Sequence, residues 1–370
     1  MMRIGILTSS RADYGIYLPL LKVIGNDRFF ELKIIAFGTH LSPFHGYTLN
    51  QIISDGFEVP FQIESMIAGD SSNAISTAMA LTSLKFADFW KNHKNDFDLV
   101  LCLGDRYEMF AAVVAGIPFG IKYAHLHGGE KTLGAIDDVL RHSITLASKY
   151  HFVSCEAHRR RVSKLIESEN NIFNVGSLSL DNLNSLSILS KEEFFDRFNV
   201  NLNLPTILVT IHPETVSGEN NTSHVDEMVN ALLKLKNYQI LITLPNADTH
   251  GSFIRYRFLQ LANESNGRIS CHENLGQEGY FSAMKYCDFL LGNTSSGIIE
   301  AASFQKWVIN LGNRQQGRQQ SDNIINAPFI CNNIIDAVHK IEKNLIYNGT
   351  NVYFKENTAK SICSILKGLK

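Results

Sequence analysis

Short apolar runs alternate with helix-like stretches along the first half of the chain. Two of the runs, 98–103 and 119–126, are apolar almost throughout, which is typical of strands covered on both faces. The alternation predicts a series of βαβ units around a parallel sheet. The predicted strands are 3–8, 31–37, 58–63, 98–103, 119–126 and 150–154, and the predicted helices are 15–25, 73–93, 106–116, 137–148 and 156–167.

Between 168 and 204 the pattern is lost, and Ser, Asn, Glu and Leu follow one another without a clear spacing. We interpret this segment as the passage between two domains. A second βαβ series then begins, so the sequence predicts two Rossmann-like domains that face a central cleft. Its predicted strands are 206–211, 239–244, 268–271, 289–291 and 308–311, and its predicted helices are 223–236, 252–265, 277–286, 296–304 and 334–345, followed by a terminal helix with Ile362, Ile365 and Leu366 on one side.

Composition and charge narrow the class of protein. A length of 370 residues exceeds what one hydrophobic core usually supports, and 45% hydrophobic with 19% charged residues is ordinary globular material. A formal net charge of −2 gives no overall attraction to nucleic acid or to an anionic membrane. The six cysteines are scattered, the N-terminus lacks a signal-peptide pattern, and no segment has the length of a membrane span, so we expect a cytoplasmic protein.

The stretch 125–142 concentrates histidines, carboxylates, a lysine and an arginine between a predicted strand and a predicted helix. Doubly wound folds bind ligands at such junctions, at the carboxyl ends of parallel strands. Asp137 and Arg141 share a face if this segment is helical, and they can then pair. We interpret the stretch as an active-site loop, with a solvated helix start as the alternative. Its candidate catalytic residues are His127, Glu130, Asp137 and Arg141.

Polar residues follow several other predicted strands. Arg11 is a candidate for binding an anion, although a basic residue near a helix start is often only solvated. Asp105, after Gly104, is predicted either to face the strand ends or to cap the next helix. His212 follows the first strand of the second domain and is predicted to project into the cleft. Asn246 lies in a turn after the next strand.

The segment 292–300 is a small-residue turn that opens a helix directly after an apolar strand. Free backbone N–H groups at a helix start can bind phosphate, although Gly/Ser turns are common and the signal alone is weak. Glu300 can accept both hydroxyls of a ribose, and Arg314 and Arg318 can neutralise a diphosphate. The residues of the candidate phosphate cradle are Thr294, Ser295, Ser296 and Gly297.

A metal site is the main chemical alternative, because His125, His127, Glu130 and His142 are suitable types of ligand. On a strand, however, the spacing of His125 and His127 puts both on one face without a clear third ligand, and no HExxH motif is present. We therefore predict no metal. The GxGxxG motif is absent after the first strand, so we predict no nicotinamide cofactor.

In chain order, these motifs resemble the hydrolysing UDP-N-acetylglucosamine 2-epimerases of bacterial sialic acid biosynthesis, in particular the capsule-type subgroup. They are also similar to the UDP-N,N'-diacetylbacillosamine 2-epimerases. The chain departs from many relatives at Ile16, where they carry a lysine, and at His127, where they carry a glutamate. The matching segments are SRADYG (10–15), GDRYE (104–108), HLHGGEKT (125–132), RHSI (141–144), HPET (212–215), NAD (246–248), GNTSSG (292–297), RQQGR (314–318) and YFKEN (353–357).

The resemblance implies a GT-B-like fold with a sugar-side domain at 1–180, a UDP-binding domain at 181–350 and a helix at 351–370 that crosses back to the first domain. It also implies a UDP-sugar substrate, no cofactor and a homodimer. Arg11 and Arg106 would reach the nucleotide from the first domain. The nucleotide would otherwise contact His212, Asn246, Thr294, Ser295, Glu300 and Arg314, and the sugar would face Asp105, His127, Asp137 and Arg141.

The reaction implied by the resemblance converts UDP-N-acetylglucosamine and water to N-acetylmannosamine and UDP, by elimination to a glycal followed by hydration. Four alternatives remain open at this point. They are a hydrolysing epimerase of UDP-N,N'-diacetylbacillosamine in legionaminic acid synthesis, a non-hydrolysing epimerase, a GT-B glycosyltransferase, and a regulator that binds a nucleotide sugar.

Overall fold

A computed structural model describes residues 1–67, 69, 71–131, 137–185, 187–213, 221–245 and 251–369. These residues form two compact units, each built around its own parallel sheet. The first unit holds 1–130, 137–184 and 353–369, and the second holds the described residues between 185 and 352. The predicted α/β class with two parallel sheets is therefore confirmed.

The strands of the first unit are β1 (Met2–Thr8), β2 (Phe30–Phe37), β3 (Phe61–Ile63), β4 (Leu99–Leu103), β5 (Tyr123–Leu126), β6 (Tyr150–Val153) and β7 (Ile172–Asn174). Among the described residues they form a seven-stranded parallel sheet in the order β3-β2-β1-β4-β5-β6-β7. The chain builds outward from β1 in one direction and then returns to its other side as β4. The order thus reverses between β1 and β4, and a crevice opens at the carboxyl ends of strands at such a point.

Helices cover both faces of this sheet. They are α1 (Arg11–Gly25), α2 (Leu49–Ser54), α3 (Ser72–His93), α4 (Tyr107–Gly116), α5 (Asp137–Ala147), α6 (Glu156–Ile166) and α7 (Leu178–Ser185). The alternation of side chains along β4 shows the two faces: Leu99 and Leu101 belong to a core cluster with α1, whereas Val100 and Cys102 pack with residues of α3 and α4. Burial on both faces explains why β4 reads as a continuous apolar run.

The second unit repeats this design with a sheet in the order β10-β9-β8-β11-β12-β13 among the described residues, so its reversal lies between β8 and β11. Its strands are β8 (Thr206–Thr210), β9 (Gln239–Thr243), β10 (Ile269–His272), β11 (Phe289–Gly292), β12 (Trp307–Leu311) and β13 (Ile324–Ala327). Its helices are α8 (Lys191–Phe198), α9 (Asn221–Lys234), α10 (Gly251–Glu264), α11 (Gly276–Tyr286), α12 (Ser295–Ile299) and α13 (Cys331–Glu342).

Helix α14 (Thr358–Gly368), at the end of the chain, packs in the core of the first unit. Ile362 and Leu366 are buried in one cluster with Tyr17 and Leu20 of α1. The start of the helix is fixed by Asp181, whose carboxylate accepts hydrogen bonds from the backbone N–H groups of residues 358 and 359 at 3.0 and 2.5 Å. A carboxylate at this end also suits the helix dipole.

Regular structure is present where the sequence pattern predicted none. The segment 168–204, interpreted as a passage between domains, contains β7, α7 and α8. Helix α2 and strand β13 were likewise not predicted. Strand β7 has three residues, too few to show an alternation. The strand predicted from 119 begins only at Tyr123, because residues 117–119 with Pro118 form a 3₁₀ turn.

Replacing Leu366 by Ala should lower the free energy of unfolding by about 2–5 kcal/mol, because it removes a fully buried side chain from the contact between α14 and α1. Ser364→Ala, on the exposed side of the same helix, is the matched control and should change it by less than about 0.5 kcal/mol. Urea unfolding followed by circular dichroism measures both. Equal effects of the two substitutions would contradict the packing described for α14.

Candidate active site

Asp105 lies in the turn after β4 and pairs with a residue of helix α5. The Nη2 of Arg141 donates a hydrogen bond to Oδ2 of Asp105, and the Nη1 of the same guanidinium lies 3.9 Å from Oδ1 of Asp138. Arg141 is 3% exposed, so its charge is compensated almost entirely by protein groups. The N-cap of α4 is Arg106, so the alternative prediction that Asp105 caps this helix is wrong. Pairing of Arg141 with Asp137, at the start of α5, stays a prediction.

His125 holds this turn in place from β5. Its Nε2 lies 2.8 Å from the carbonyl oxygen of Gly104, and its Nδ1 lies 3.0 Å from Oγ1 of Thr145. Burial lowers the pKa of His125 to about 3, so the ring is neutral and has one N–H. The carbonyl can only accept, hence Nε2 carries the proton, and Nδ1 accepts from the hydroxyl of Thr145, which is shared with the backbone carbonyl of Arg141 at 3.0 Å. With both nitrogens bonded, His125 supports the site from within the core.

His127 follows directly after the last residue of β5. Its φ of 62° is in the left-handed region, which turns the chain immediately after β5. The prediction that His125 and His127 share one face of a strand is therefore wrong. Nδ1 of His127 lies 2.8 Å from Oε1 of Glu130, and its Nε2 is buried without a hydrogen-bond partner among the described residues. The carboxylate holds the ring through Nδ1. The unpaired Nε2 is therefore suited to exchange a proton with a ligand.

Asp105 and His127 follow neighbouring strands in register. Leu103 pairs with Leu126, and the N–H of Gly104 donates to the carbonyl of Leu126 at 3.1 Å. The Asp105–Arg141 and His127–Glu130 pairs therefore share one edge of the sheet.

Of the two candidate anion-binding arginines in the first unit, Arg106 is fixed by a buried carboxylate and Arg11 is exposed. Arg106 donates to the buried carboxylate of Glu108 through Nε at 3.2 Å and Nη2 at 2.8 Å. Arg11, the first residue of α1, is exposed. Two residues later, Asp13 is buried and accepts from the backbone N–H groups of Ser9 and Ser10 at 2.8 and 2.9 Å. This capping box fixes the loop that precedes Arg11.

In the second unit, Asn293 joins the ends of β8 and β11. Its Oδ1 accepts from the backbone N–H of His212 at 2.8 Å, and its Nδ2 donates to the carbonyl of His212 at 2.9 Å. The carbonyl of Asn293 in turn accepts from Arg314 at 3.1 Å and from Gln315 at 2.8 Å. Burial, helped by the nearby charge of Arg314, lowers the pKa of His212 to about 4, so its ring is neutral at pH 7.

The predicted phosphate cradle begins at a glycine that no other residue can replace without a clash. Gly292 has a φ of 151°, and a Cβ there would lie 1.9 Å from the carbonyl oxygen of Thr210. Thr294 caps α12 by accepting from the N–H of Ser296 at 3.3 Å. Helix α12 has only five residues, so free N–H groups matter more here than a helix dipole. Within the cradle Ser295 is half-buried and Gly297 is buried, and Glu300 at the end of α12 is buried as well. Arg318 is half-buried in the segment after β12. Asn246 lies outside the described residues.

Four residues of these clusters were not singled out from the sequence: Asp13, Glu108, Asn293 and Gln315. Asp13 carries a signal that was available, since a serine followed three residues later by a carboxylate is typical of a capping box. The other three act through side chains that reach a separate segment of the chain, which no local pattern encodes.

In the part of the chain that the structure describes, no group of three or more His, Cys, Asp or Glu residues is arranged to hold a metal ion. No helix there is long and apolar enough to cross a membrane.

Two parallel α/β units, each with polar side chains gathered where the strand order reverses, define the doubly wound class that binds nucleotides at the carboxyl ends of its strands. Within this class, the family model described as UDP-N-acetylglucosamine 2-epimerase matches residues 22–367, and the chain belongs to that family.

Individual relatives agree with this assignment. The chain is 35% identical to "GDP/UDP-N,N'-diacetylbacillosamine 2-epimerase (hydrolyzing)" of Campylobacter jejuni, over 92% of this chain and 87% of that protein. It is 34% identical to "Polysialic acid biosynthesis protein P7" of Escherichia coli, over 99% and 94%. The crystal structure of UDP-GlcNAc 2-epimerase from Neisseria meningitidis bound to UDP-GlcNAc superposes with a TM-score of 0.84 at 17% identity, covering 99% of this chain and all of that one. The fold is therefore GT-B-like, as the resemblance implied.

The buried histidines predict how stability depends on pH. Burial lowers the pKa of His125 to about 3 and those of His151, His158 and His212 to about 4, from an ordinary value of 6.5. These rings are neutral in the folded protein but take up protons on unfolding below pH 6.5. Stability is then fully present above pH 6.5 and falls as the pH is lowered toward 4, by up to about 1.4 kcal/mol per pH unit for each histidine.

Urea midpoints measured between pH 8 and pH 5 check this dependence. The range from 8 to 7 is the internal control, because these histidines are neutral there in both states. A midpoint that stays constant from pH 7 to pH 5 would contradict the burial of the four rings.

Proposed function

We propose that the protein is a hydrolysing 2-epimerase that converts UDP-N-acetylglucosamine and water to N-acetylmannosamine and UDP, toward sialic-acid-type sugars. Two relatives above 30% identity are named as a hydrolysing epimerase and as a polysialic acid biosynthesis protein. The single observation that supports this chemistry is the cluster at the edge of the first sheet, where the Asp105–Arg141 and His127–Glu130 pairs follow neighbouring strands.

The substrate dictates an elimination. The C2–H of the sugar has no adjacent carbonyl, so direct removal of this proton would leave an unstabilised carbanion. If the C1–O bond to UDP breaks as the proton is removed, the C2–H electron pair becomes the C1–C2 double bond and UDP leaves with the C1–O pair. Water then adds its hydroxyl to C1 while a proton returns to the opposite face of C2. The products are UDP and the free C2 epimer.

The first unit supplies the groups that this reaction needs. We assign the proton transfers to His127, through its unpaired Nε2, together with Asp105 and Asp137. The carboxylates also stabilise positive charge that develops at C1. Arg141 fixes the orientation of Asp105, and Glu130 fixes that of His127.

The second unit is proposed to hold UDP. His212 and Arg314 would stabilise the departing diphosphate, with Arg318 and, from the first unit, Arg11 and Arg106 adding positive charge. Glu300 would accept the ribose hydroxyls. The cradle for phosphate would be formed by Thr294, Ser295, Ser296 and Gly297, and Asn246 is proposed to contact the nucleotide.

A second substrate has a specific observation in its favour. The Campylobacter jejuni relative is named for UDP-N,N'-diacetylbacillosamine, which carries a second acetamido group. A hydrolysing epimerase of this analogue would use the same elimination, because the reacting atoms C1 and C2 are unchanged. We also propose that the enzyme acts in the cytoplasm as a homodimer, and light scattering of the purified protein would test the dimer.

The defining experiment is NMR of the protein with UDP-N-acetylglucosamine in deuterated water. We expect release of UDP and of free N-acetylmannosamine that carries deuterium at C2, because the C2 proton is exchanged during the reaction. The diacetamido analogue is the second substrate, and the ratio of the two kcat/KM values assigns the natural one.

Other products would identify the alternatives. A product still linked to UDP indicates a non-hydrolysing epimerase, and a free sugar without deuterium indicates simple hydrolysis. Inertness toward both UDP-sugars would overturn the proposal in favour of a transferase that requires an acceptor.

Asp105→Asn should reduce kcat by about 100-fold or more, because the amide keeps the shape but cannot act as a base or stabilise positive charge. UDP affinity, measured by calorimetry, should stay within a factor of about three, since this residue is assigned to the sugar. Asp88→Asn is the matched control, as Asp88 is exposed on α3. Near-normal turnover in the Asp105 variant would remove this residue from the mechanism.

A further inference from the structure

His158 is a buried histidine that the proposed reaction does not use. It is 1% exposed, its Nδ1 lies 2.9 Å from Oγ of Ser154, and its Nε2 has no hydrogen-bond partner among the described residues. His125 provides the contrast, because both of its nitrogens are bonded. A buried nitrogen without a partner costs about 1–3 kcal/mol.

The chain brings Ser154 and His158 together at the carboxyl end of β6. Ser154 follows that strand, and His158 lies four residues later in the first turn of α6, where its ring reaches back to the serine. The loop after β5 packs against the same turn. Gly129 has a φ of 77°, and a Cβ at this position would lie 2.6 Å from the carbonyl oxygen of His158. This close approach places Glu130 within reach of Ser154.

The four side chains form one chain of hydrogen bonds. Oε1 of Glu130 accepts from Ser154 Oγ at 3.2 Å and is the oxygen that lies 2.8 Å from His127 Nδ1. A carboxylate only accepts, so the serine hydroxyl donates to it, and Ser154 must then accept from His158 Nδ1. Burial lowers the pKa of His158 to about 4, hence its ring is neutral at pH 7 and Nδ1 carries its single proton.

The direction of these bonds determines the state of His127. His127 and Ser154 both donate to Oε1 of Glu130, which holds this side chain in one orientation. His127 therefore donates from Nδ1, and in the neutral ring the lone pair is on Nε2, the atom that has no partner. In water the proton of a neutral imidazole prefers Nε2, so this tautomer must be imposed by the surroundings.

We propose that Ser154 and His158 are positioning residues that lock Glu130 against His127 and so keep Nε2 of His127 available as the proton acceptor. This inference rests on the proposed function for the role of His127, but the tautomer it requires is a property of the free protein. Neither residue contacts the sugar in this assignment. They act by orienting Glu130, which in turn orients His127. Many enzymes hold a catalytic histidine through a hydrogen-bonded carboxylate in this way.

The first test is nitrogen-15 NMR of histidine-labelled protein without substrate at pH 7.5, with the His127→Gln variant used to assign the signal. We expect His127 to show a protonated Nδ1 and a bare Nε2. A protonated Nε2, alone or together with Nδ1, would overturn the proposal. This measurement needs no turnover, so its result remains valid even if neither UDP-sugar reacts. Failure of both UDP-sugars to react would overturn the proposed function but not the tautomer of His127.

The second test compares variants at the two outer positions. Ser154→Ala and His158→Leu should each show a substantial Nε2–H population on His127 and a kcat lowered about 10-fold with KM nearly unchanged. The first removes the donor to Glu130, and the second removes the donor that orients Ser154. His158→Asn keeps an N–H donor near the position of Nδ1 and should largely restore both properties. Ser163→Ala, in the same helix but outside the chain of hydrogen bonds, is the matched control.

A purely structural role predicts a different pattern. Ser154→Ala and His158→Leu would then lower the unfolding midpoint but leave the His127 tautomer and kcat as in the unchanged protein, which would overturn the proposal. If either variant fails to fold, the tautomer of the unchanged protein together with the His158→Asn variant still decides the question.

Discussion

The burial of one guanidinium constrains the whole polar edge of the first unit. Arg141 is almost entirely excluded from solvent, and an unpaired charge in that position would cost several kcal/mol. Asp105 supplies the counter-charge, so the turn after β4 and the start of α5 cannot move independently. The same helix contributes Thr145 to His125, which holds the carbonyl at the base of that turn. The side chain of Asp105 is thus held in one orientation by protein groups, which suits the electrostatic role proposed for it.

In the second unit, a buried amide side chain rather than a charge pair joins the ends of neighbouring strands. Asn293 is completely buried, and its side chain bonds to both backbone groups of His212, which follows the neighbouring strand β8. Its backbone carbonyl accepts hydrogen bonds from the side chains of Arg314 and Gln315, in the segment after β12. Three strand ends are thereby joined through one residue. In both units the candidate functional groups are held across neighbouring strands, which is more rigid than a site confined to a single loop.

What the sequence could predict depended on how local the signal was. Most strand cores followed from hydrophobic periodicity and were confirmed in both sheets, whereas β7 and β13 were not predicted. The conformation of His127 was not predictable in this way, because a left-handed φ after β5 breaks the alternation on which its assignment to one face relied. The partner of Asp105 and the contact of Ser154 with Glu130 join residues far apart in sequence. Only the folded chain reveals such pairs.

Histidine at position 127 changes how charge is distributed around the proposed reaction. A carboxylate at that place could both remove the C2 proton and stabilise positive charge at C1, whereas a neutral imidazole can only do the first. The carboxylate of the pair, Glu130, contacts Nδ1, the ring nitrogen opposite the unpaired Nε2. In the proposed mechanism, stabilisation of positive charge at C1 is therefore assigned to Asp105 and Asp137. This proposed division of work fits an arrangement in which Asp105 and His127 follow adjacent strands and each is held by its own partner, Arg141 and Glu130.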